Sequence, residues 1–169
     1  PEMSRGLGDV YKRQQQGHEI QGLGEQAVCV EQMTAKACRK ELQKIRETIG
    51  TVTEEPAVFF RIPGGEYNNE VLRTIYACGS YPVAWSVDSM DWKEYEASEL
   101  VRQLLQSCTI RDGEILRFHG EGENTGEMVK LLHPRLKEEG YEAVTVSQMV
   151  YKDRYRMTTD GRQIPEKSK

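Results

Sequence analysis

Trp85-Ser86-Val87-Asp88-Ser89-Met90-Asp91-Trp92 is the stretch whose reading decides the fold, taken together with Arg61 upstream and His119 downstream. Asp91 and His119 are the residue types of a carboxylate that orients an imidazole, and Arg61 is suited to holding a carboxylate or an anionic substrate group. Each of the three follows a short apolar run: Ala57 to Phe60, Tyr81 to Val87 and Ile115 to Phe118. In α/β proteins, residues just past the ends of parallel strands converge on one rim, so three residues far apart in sequence gain a common location. Residue chemistry alone leaves a plainer arrangement open, an Arg61–Asp91 ion pair with an unrelated His119.

Periodicity supports alternation of helix and strand. Thr34 is a suitable helix N-cap, followed by Cys38, Leu42, Ile45 and Ile49 at helical spacing and by Gly50 as a stop. Thr51 to Pro56 reads as a polar connection, Ala57 to Phe60 as a strand, and Ile62 to Asn69 as a Gly/Pro loop. Val71, Leu72, Ile75 and Cys78 mark a second helix closed by Gly79, and Pro82 to Val87 a strand. Ser98 is placed to cap a third helix, Ile115 to Phe118 is a buried strand, and Thr125 begins a fourth helix that Pro134 should kink or divide. Ala143 to Val146 reads as the last strand. Such alternation implies a mainly parallel sheet with right-handed crossovers.

Bulk properties narrow the function classes. The 169 residues suit one domain, and 37% hydrophobic with 30% charged residues can supply a core. A net charge of -4 argues against a nucleic-acid partner. No apolar run approaches the roughly 18 residues of a membrane span. Cys29, Cys38, Cys78 and Cys108 contain no C-x-x-C pair, and buried free thiols are favoured over disulfides.

Four segments, in order, resemble the polysaccharide deacetylases (the NodB-homology domain of carbohydrate esterase family 4). Gly17-His18-Glu19-Ile20 is similar to the family's GHEI. Phe60-Arg61-Ile62-Pro63-Gly64-Gly65-Glu66-Tyr67-Asn68 is similar to its arginine motif, with Gly64 where an aromatic residue often stands. Trp85 to Trp92 resembles its W-x-V-D-S-x-D-W segment, and Gly113 to His119 its late G-x-I-L-x-x-H motif. Leu136 to Tyr141 and Val144 to Ser147 match its usual ending.

The resemblance implies an α/β fold, the later part of a distorted (β/α) barrel with mainly parallel strands. It implies hydrolysis of N- or O-acetyl groups on cell-wall or chitin-type glycans, an acetylated glycan as partner, and an extracellular or cell-surface setting. By position, His119 is the acid that protonates the leaving amine, Asp91 orients it, and Arg61 anchors the carboxylate network. Trp85 walls the acyl pocket, while Tyr67, Asp88 and Trp92 border the substrate; for Tyr67, ordinary loop packing is an equal alternative.

The departures are as informative. Family members bind zinc or another divalent metal through one aspartate and two histidines, with an adjacent aspartate as base. Register from Gly17 puts Leu23 and Ala27 where the histidines stand, and neither side chain has a lone pair to donate. Glu25 is the one potential ligand between them; His18 and His133 are not at ligand positions. The aspartate pair belongs to a strand upstream of GHEI and is not found in this chain. No cofactor is therefore expected here, and the chain reads as inactive as it stands, a non-catalytic glycan-binding relative or an unfunctional gene fragment being the alternatives.

Residues 1–16 show neither helical nor strand periodicity, and Arg5 to Gln14 resembles translated adapter sequence, so this segment reads as a non-native or disordered leader, against the alternative of an ordinary flexible terminus. The deacetylase-like domain is placed at 17–150. Residues 151–169, where Lys and Arg outnumber Asp and Glu, read as a mobile basic tail.

Overall fold

The computed structural model describes residues 2–24, 34–120 and 122–166. Helix α1 (Glu2–Gln15) leads through β1 (Gly22–Leu23) to α2 (Ala35–Thr53), β2 (Phe59–Arg61), α3 (Asn69–Ala77) and β3 (Tyr81–Val83). These strands form one parallel sheet in the order β1-β2-β3, with Leu23 opposite Arg61 and Arg61 opposite Val83. Then β4 (Val87–Asp88), α4 (Ala97–Ser107), β5 (Leu116–Arg117) and α5 (Thr125–Glu138) follow, β4 and β5 pairing in parallel with Asp88 opposite Arg117. A short helix α6 (Val146–Met149) and an antiparallel hairpin of β6 (Tyr155–Met157) and β7 (Gln163–Pro165) complete the described chain. All pairings among β1–β5 are parallel, as the alternation of elements requires.

Two apolar cores hold these layers. Cys38 and Leu42 of α2 and Val71 and Ile75 of α3 pack on Phe60 and Ile62. Leu100, Val101 and Leu104 of α4 and Met128 and Leu132 of α5 pack with Val87 and Ala97. The apolar stripes at helical spacing are thus core faces. Cys38, Cys78 and Cys108 are free thiols, and Cys29 lies outside the described residues. Burial, and then the neighbouring Cys78, push the Cys38 thiol up.

Several boundaries differ from expectation, each for a local reason. Helix α2 has its Thr34 cap but runs through Gly50 to Thr53. Thr51 and Thr53 return hydroxyl bonds to the carbonyls of Glu47 and Ile49, and Gln14 of α1 donates to the Thr53 carbonyl at 3.1 Å. These bonds carry the helix past a glycine that costs about 1 kcal/mol. The expected strand 82–87 is two strands in two sheets. The amides of Ser86 and Val87 donate to the Ile115 carbonyl, so the chain leaves β2 and joins β5. Helix α4 begins at Ala97, which is buried, and Ser98 lies inside its first turn instead of capping it. Pro134 does not divide α5; it sits on an exposed face, where water can serve the carbonyl it leaves unpaired. Residues 143–146 form no strand. Thr145 and Gln148 make a reciprocal capping box that starts α6 instead.

Both ends are more ordered than their composition suggested. Helix α1 turns only Val10 and Gln14 inward among its last residues, a four-residue spacing with one polar member that periodicity overlooks. The segment after Tyr151 is a hairpin tied back by Tyr151–Gln163 bonds and by Arg162 to Glu114 at 3.3 Å.

Candidate functional site

The turn after β4 is built by its own polar side chains. The Asp88 carboxylate accepts from the Met90 amide at 2.9 Å, which stabilises Met90 in the left-handed region at φ 55°. The Ser89 amide donates to the Arg117 carbonyl and fastens the turn to β5. This geometry drives Asp91 inward, where it is 1% exposed.

Asp91 is bonded by donors from four residues. Oδ1 accepts from Ser89 Oγ at 2.9 Å, from the His119 amide at 3.0 Å and from His119 Nδ1 at 2.7 Å. Oδ2 accepts from the His119 amide at 3.1 Å, the Gly120 amide at 3.2 Å and Thr125 Oγ1 at 2.5 Å. Burial alone would push this carboxyl up. The bonds from Thr125, from the His119 amide and ring, and from Ser89 outweigh burial and hold it well below the usual carboxylate range. An ionised Asp91 only accepts, so His119 Nδ1 is the donor and Nε2 is left on the side of Asp88. Gly122 is required here because a Cβ would collide with the Asp91 backbone carbonyl.

The remaining wall is aromatic and cationic. His119 Nε2 stands 3.9 Å from Asp88 Oδ2, and Trp92, 57% exposed, meets the imidazole edge-on with ring centroids 6.4 Å apart. The Arg117 guanidinium lies 4.0 Å from the centroid of Trp85 and 3.6 Å from Asp88. Gly65, at φ +81°, lets the backbone pass against the indole, where a Cβ would come within 2.7 Å.

The structure therefore brings together Asp91, His119, Asp88, Trp85 and Trp92. Arg61 is placed differently from expectation. Among the described residues it makes no hydrogen bond to Asp91, whose acceptors are filled by Ser89, His119, Gly120 and Thr125; its guanidinium faces Trp85 at 5.7 Å. Tyr67 is exposed, with its hydroxyl near Gly161 of the hairpin turn, and shares no hydrogen bond or ring contact with Asp91 or His119 among the described residues. Ser89, Thr125 and Arg117 were not singled out from sequence. Thr125 carried a signal, since a hydroxyl residue opening a helix beside a buried acid is a natural partner; Arg117 was hidden inside an apolar run.

Among the described residues the donor set does not fit a catalytic metal. Among the described residues no three His, Cys, Asp or Glu side chains are grouped to hold an ion. Leu23, 59% exposed on β1, presents hydrocarbon where a histidine would be needed. Ala27 and Glu25 lie outside the described residues. His18 and His133 are exposed and apart from the Asp91 network.

Comparison with known proteins places this geometry. The family model for polysaccharide deacetylase matches residues 6–83. The chain is 28% identical over 145 residues to the peptidoglycan-N-acetylglucosamine deacetylase PgdA of Listeria monocytogenes, covering 84% of this chain and 29% of that protein. It is 32% identical over 102 residues to a peptidoglycan-N-acetylglucosamine deacetylase of Bacillus cereus, covering 57% of this chain and 46% of the relative. The chain thus spans less than half the length of these relatives. In fold it resembles a carbohydrate esterase family 4 pseudoenzyme of Bacillus anthracis, with a TM-score of 0.76 at 22% identity over 86% of this chain and 51% of the other.

Proposed function

We propose that this chain, a relative of the polysaccharide deacetylases, binds an acetylated glycan with the acid half of a deacetylase site without itself releasing acetate. The observation that carries this reading is the Asp91–His119 pair, 2.7 Å from carboxylate to Nδ1, with every Asp91 oxygen satisfied from within.

Hydrolysing an N-acetyl group needs an activated water, stabilisation of the oxyanion and a proton for the departing amine. His119 is held to deliver that proton from Nε2 while Asp91 fixes the ring through Nδ1. Trp92, exposed beside His119, offers an aromatic surface on which a sugar ring stacks, with Asp88 at the rim. In the family, zinc or another divalent metal supplies the activated water. Leu23 and the donor set of the described residues give it no seat, so no step of hydrolysis is assigned to this chain. The relatives named as peptidoglycan and chitooligosaccharide deacetylases point to the glycan class.

The test titrates tri-N-acetylchitotriose and an N-acetylated peptidoglycan fragment into the protein, following His119 and indole resonances, and measures acetate release in parallel with zinc or cobalt. Saturable shifts that weaken in Trp92→Ala, with no acetate above the blank, are expected. Metal-dependent turnover would show a complete hydrolase; no shift with either glycan would remove the binding reading.

A further inference from the structure

A second cleft, of about 440 Å³, lies where the chain enters β1 and β2, and it shares no residue with the Asp91–His119 site. Two ties between distant parts of the sequence set its walls. The Ser147 amide donates to Glu19 Oε2 at 3.2 Å across 128 positions, and Gln14 Nε2 donates to the Thr53 carbonyl at 3.1 Å. They bring the end of α1 and the turn of α6 to one opening.

Two carboxylates and one ammonium line this cleft: Glu19, half-buried, and Glu55 and Lys152, both exposed. Among the described residues none of the three has an ion-pair partner. The excess of carboxylate favours a cation. A bare metal ion does not suit the place, because His18, Glu19 and Glu55 share the cleft while no three ligand side chains among the described residues are grouped to hold one. The cation is then one part of a larger molecule. The neutral lining shows what the rest of it offers. Gln14 spends its nitrogen on Thr53 and keeps its carbonyl oxygen as an acceptor. Gln148 spends its carbonyl oxygen on the Thr145 amide and hydroxyl, at 2.9 and 3.1 Å, and keeps its nitrogen as a donor. The Ser147 hydroxyl has no partner among the described residues and does both. Acceptors and donors interspersed on a polar wall match vicinal hydroxyls and give an apolar ligand nothing to bind.

We propose that this cleft is a separate binding site for an amino sugar, a polyhydroxylated ring carrying a free primary ammonium. Glu19 and Glu55 attract the ammonium, and Gln14, Ser147 and Gln148 bond the hydroxyls. Glu19 is held for the task by the Ser147 amide, so less freedom is lost when the cation arrives. A sugar of this kind arises when an N-acetyl group is hydrolysed, so the ligand is a product of that class of reaction and not its substrate. The cleft does not depend on the Trp92 surface, and a ligand bound here is told apart from one bound there by which residues respond.

The experiment titrates the full chain, labelled with nitrogen-15, with three probes. They are the β-1,4 dimer of glucosamine, di-N-acetylchitobiose, which has the same rings without the charge, and cyclohexylamine, which has the charge without the hydroxyls. The amides of Gly17, Glu19 and Ser147 report this cleft; His119 and the Trp92 indole report the other site. The glucosamine dimer should shift the first set saturably and bind there about tenfold tighter than either control, the size expected for a hydrogen-bonded charge. Glu55→Gln should weaken it by about threefold, since this carboxylate is exposed, and raised salt should weaken it further. Lys152→Gln should not weaken it. Equal binding of the N-acetylated dimer or of cyclohexylamine at these amides would overturn the proposal, and so would loss of binding in a folded Lys152→Gln. Shifts confined to His119 and Trp92 would overturn it while leaving the glycan-binding reading intact. A cleft that responds while His119 and Trp92 do not would support it and count against that reading alone. Should either variant not fold, the wild-type preference among the three probes decides.

Discussion

The sheet of β4 and β5 and the sheet of β1, β2 and β3 face the same rim of the molecule with opposite degrees of commitment. On the first, a buried carboxylate is bonded by four residues and holds a histidine in one orientation. On the second, the corresponding strand end carries Leu23, exposed hydrocarbon with no ligand chemistry. One side carries a histidine held by a buried carboxylate; on the other, among the described residues, no three ligand side chains are grouped. The difference teaches that the two halves are separable, because the Asp91 network is anchored in the second core and draws nothing from β1.

Asp91→Asn is the sharpest way to break that contrast. An amide would turn an N–H toward donors that now meet an oxygen, so stability should fall by about 3–5 kcal/mol in urea unfolding at neutral pH. The sign of the pH dependence follows from the depressed Asp91 carboxyl. Its contribution is present above the unfolded value and lost as pH falls through the folded one. The gap between wild type and Asp91→Asn should therefore be constant near neutrality and narrow below about pH 4. A gap that widens on acidification would mean that the carboxyl is not held ionised.

Gly122→Ala should come next. A Cβ at this position meets the backbone carbonyl of Asp91, which cannot swing aside like a side chain. A loss of about 1–3 kcal/mol is expected, with the His119 resonances displaced. An alanine variant as stable as wild type would show that the chain at Gly122 does not depend on close approach to Asp91.

Much of the second half was legible in sequence. Asp91 and His119 lie 28 positions apart, yet each follows an apolar run, and parallel pairing brings such ends together. What sequence concealed was the supporting shell. Ser89 and Thr125 read as turn and helix-start residues, and their bonds to Asp91 exist only once α5 packs beside β4. The misread strand at 143–146 fails for a similar reason. Its β-branched residues favour a strand, but the Thr145–Gln148 box and a Ser147 amide bonded to Glu19 favour a helix turn. The hairpin after Tyr151 was missed because its cross-links come from polar Gln163 and Arg162, which carry no apolar alternation. For Arg61 the sequence shows the motif but not that the acceptors of Asp91 are filled by other residues, which leaves its guanidinium facing Trp85.

The smallest effect is expected on the other sheet. Leu23→His should change stability by no more than about 0.5 kcal/mol, since the side chain is largely in water. With Ala27→His added, a chain that still lacks a third ligand and a base should release no acetate from chitooligosaccharide in the presence of zinc. Clear turnover by the double variant would show that the first half needs fewer groups than a three-ligand site implies.

The central claim is that Asp91 fixes His119 through Nδ1 and leaves Nε2 free of that bond, and nitrogen-15 correlation spectra of the histidine rings test it most directly. In the neutral ring, His119 should carry its proton on Nδ1, strongly deshielded by the 2.7 Å bond to Asp91, and this signal should vanish in Asp91→Asn. A His119 protonated on Nε2 with a bare Nδ1, or one whose tautomer is unchanged by Asp91→Asn, would contradict the account.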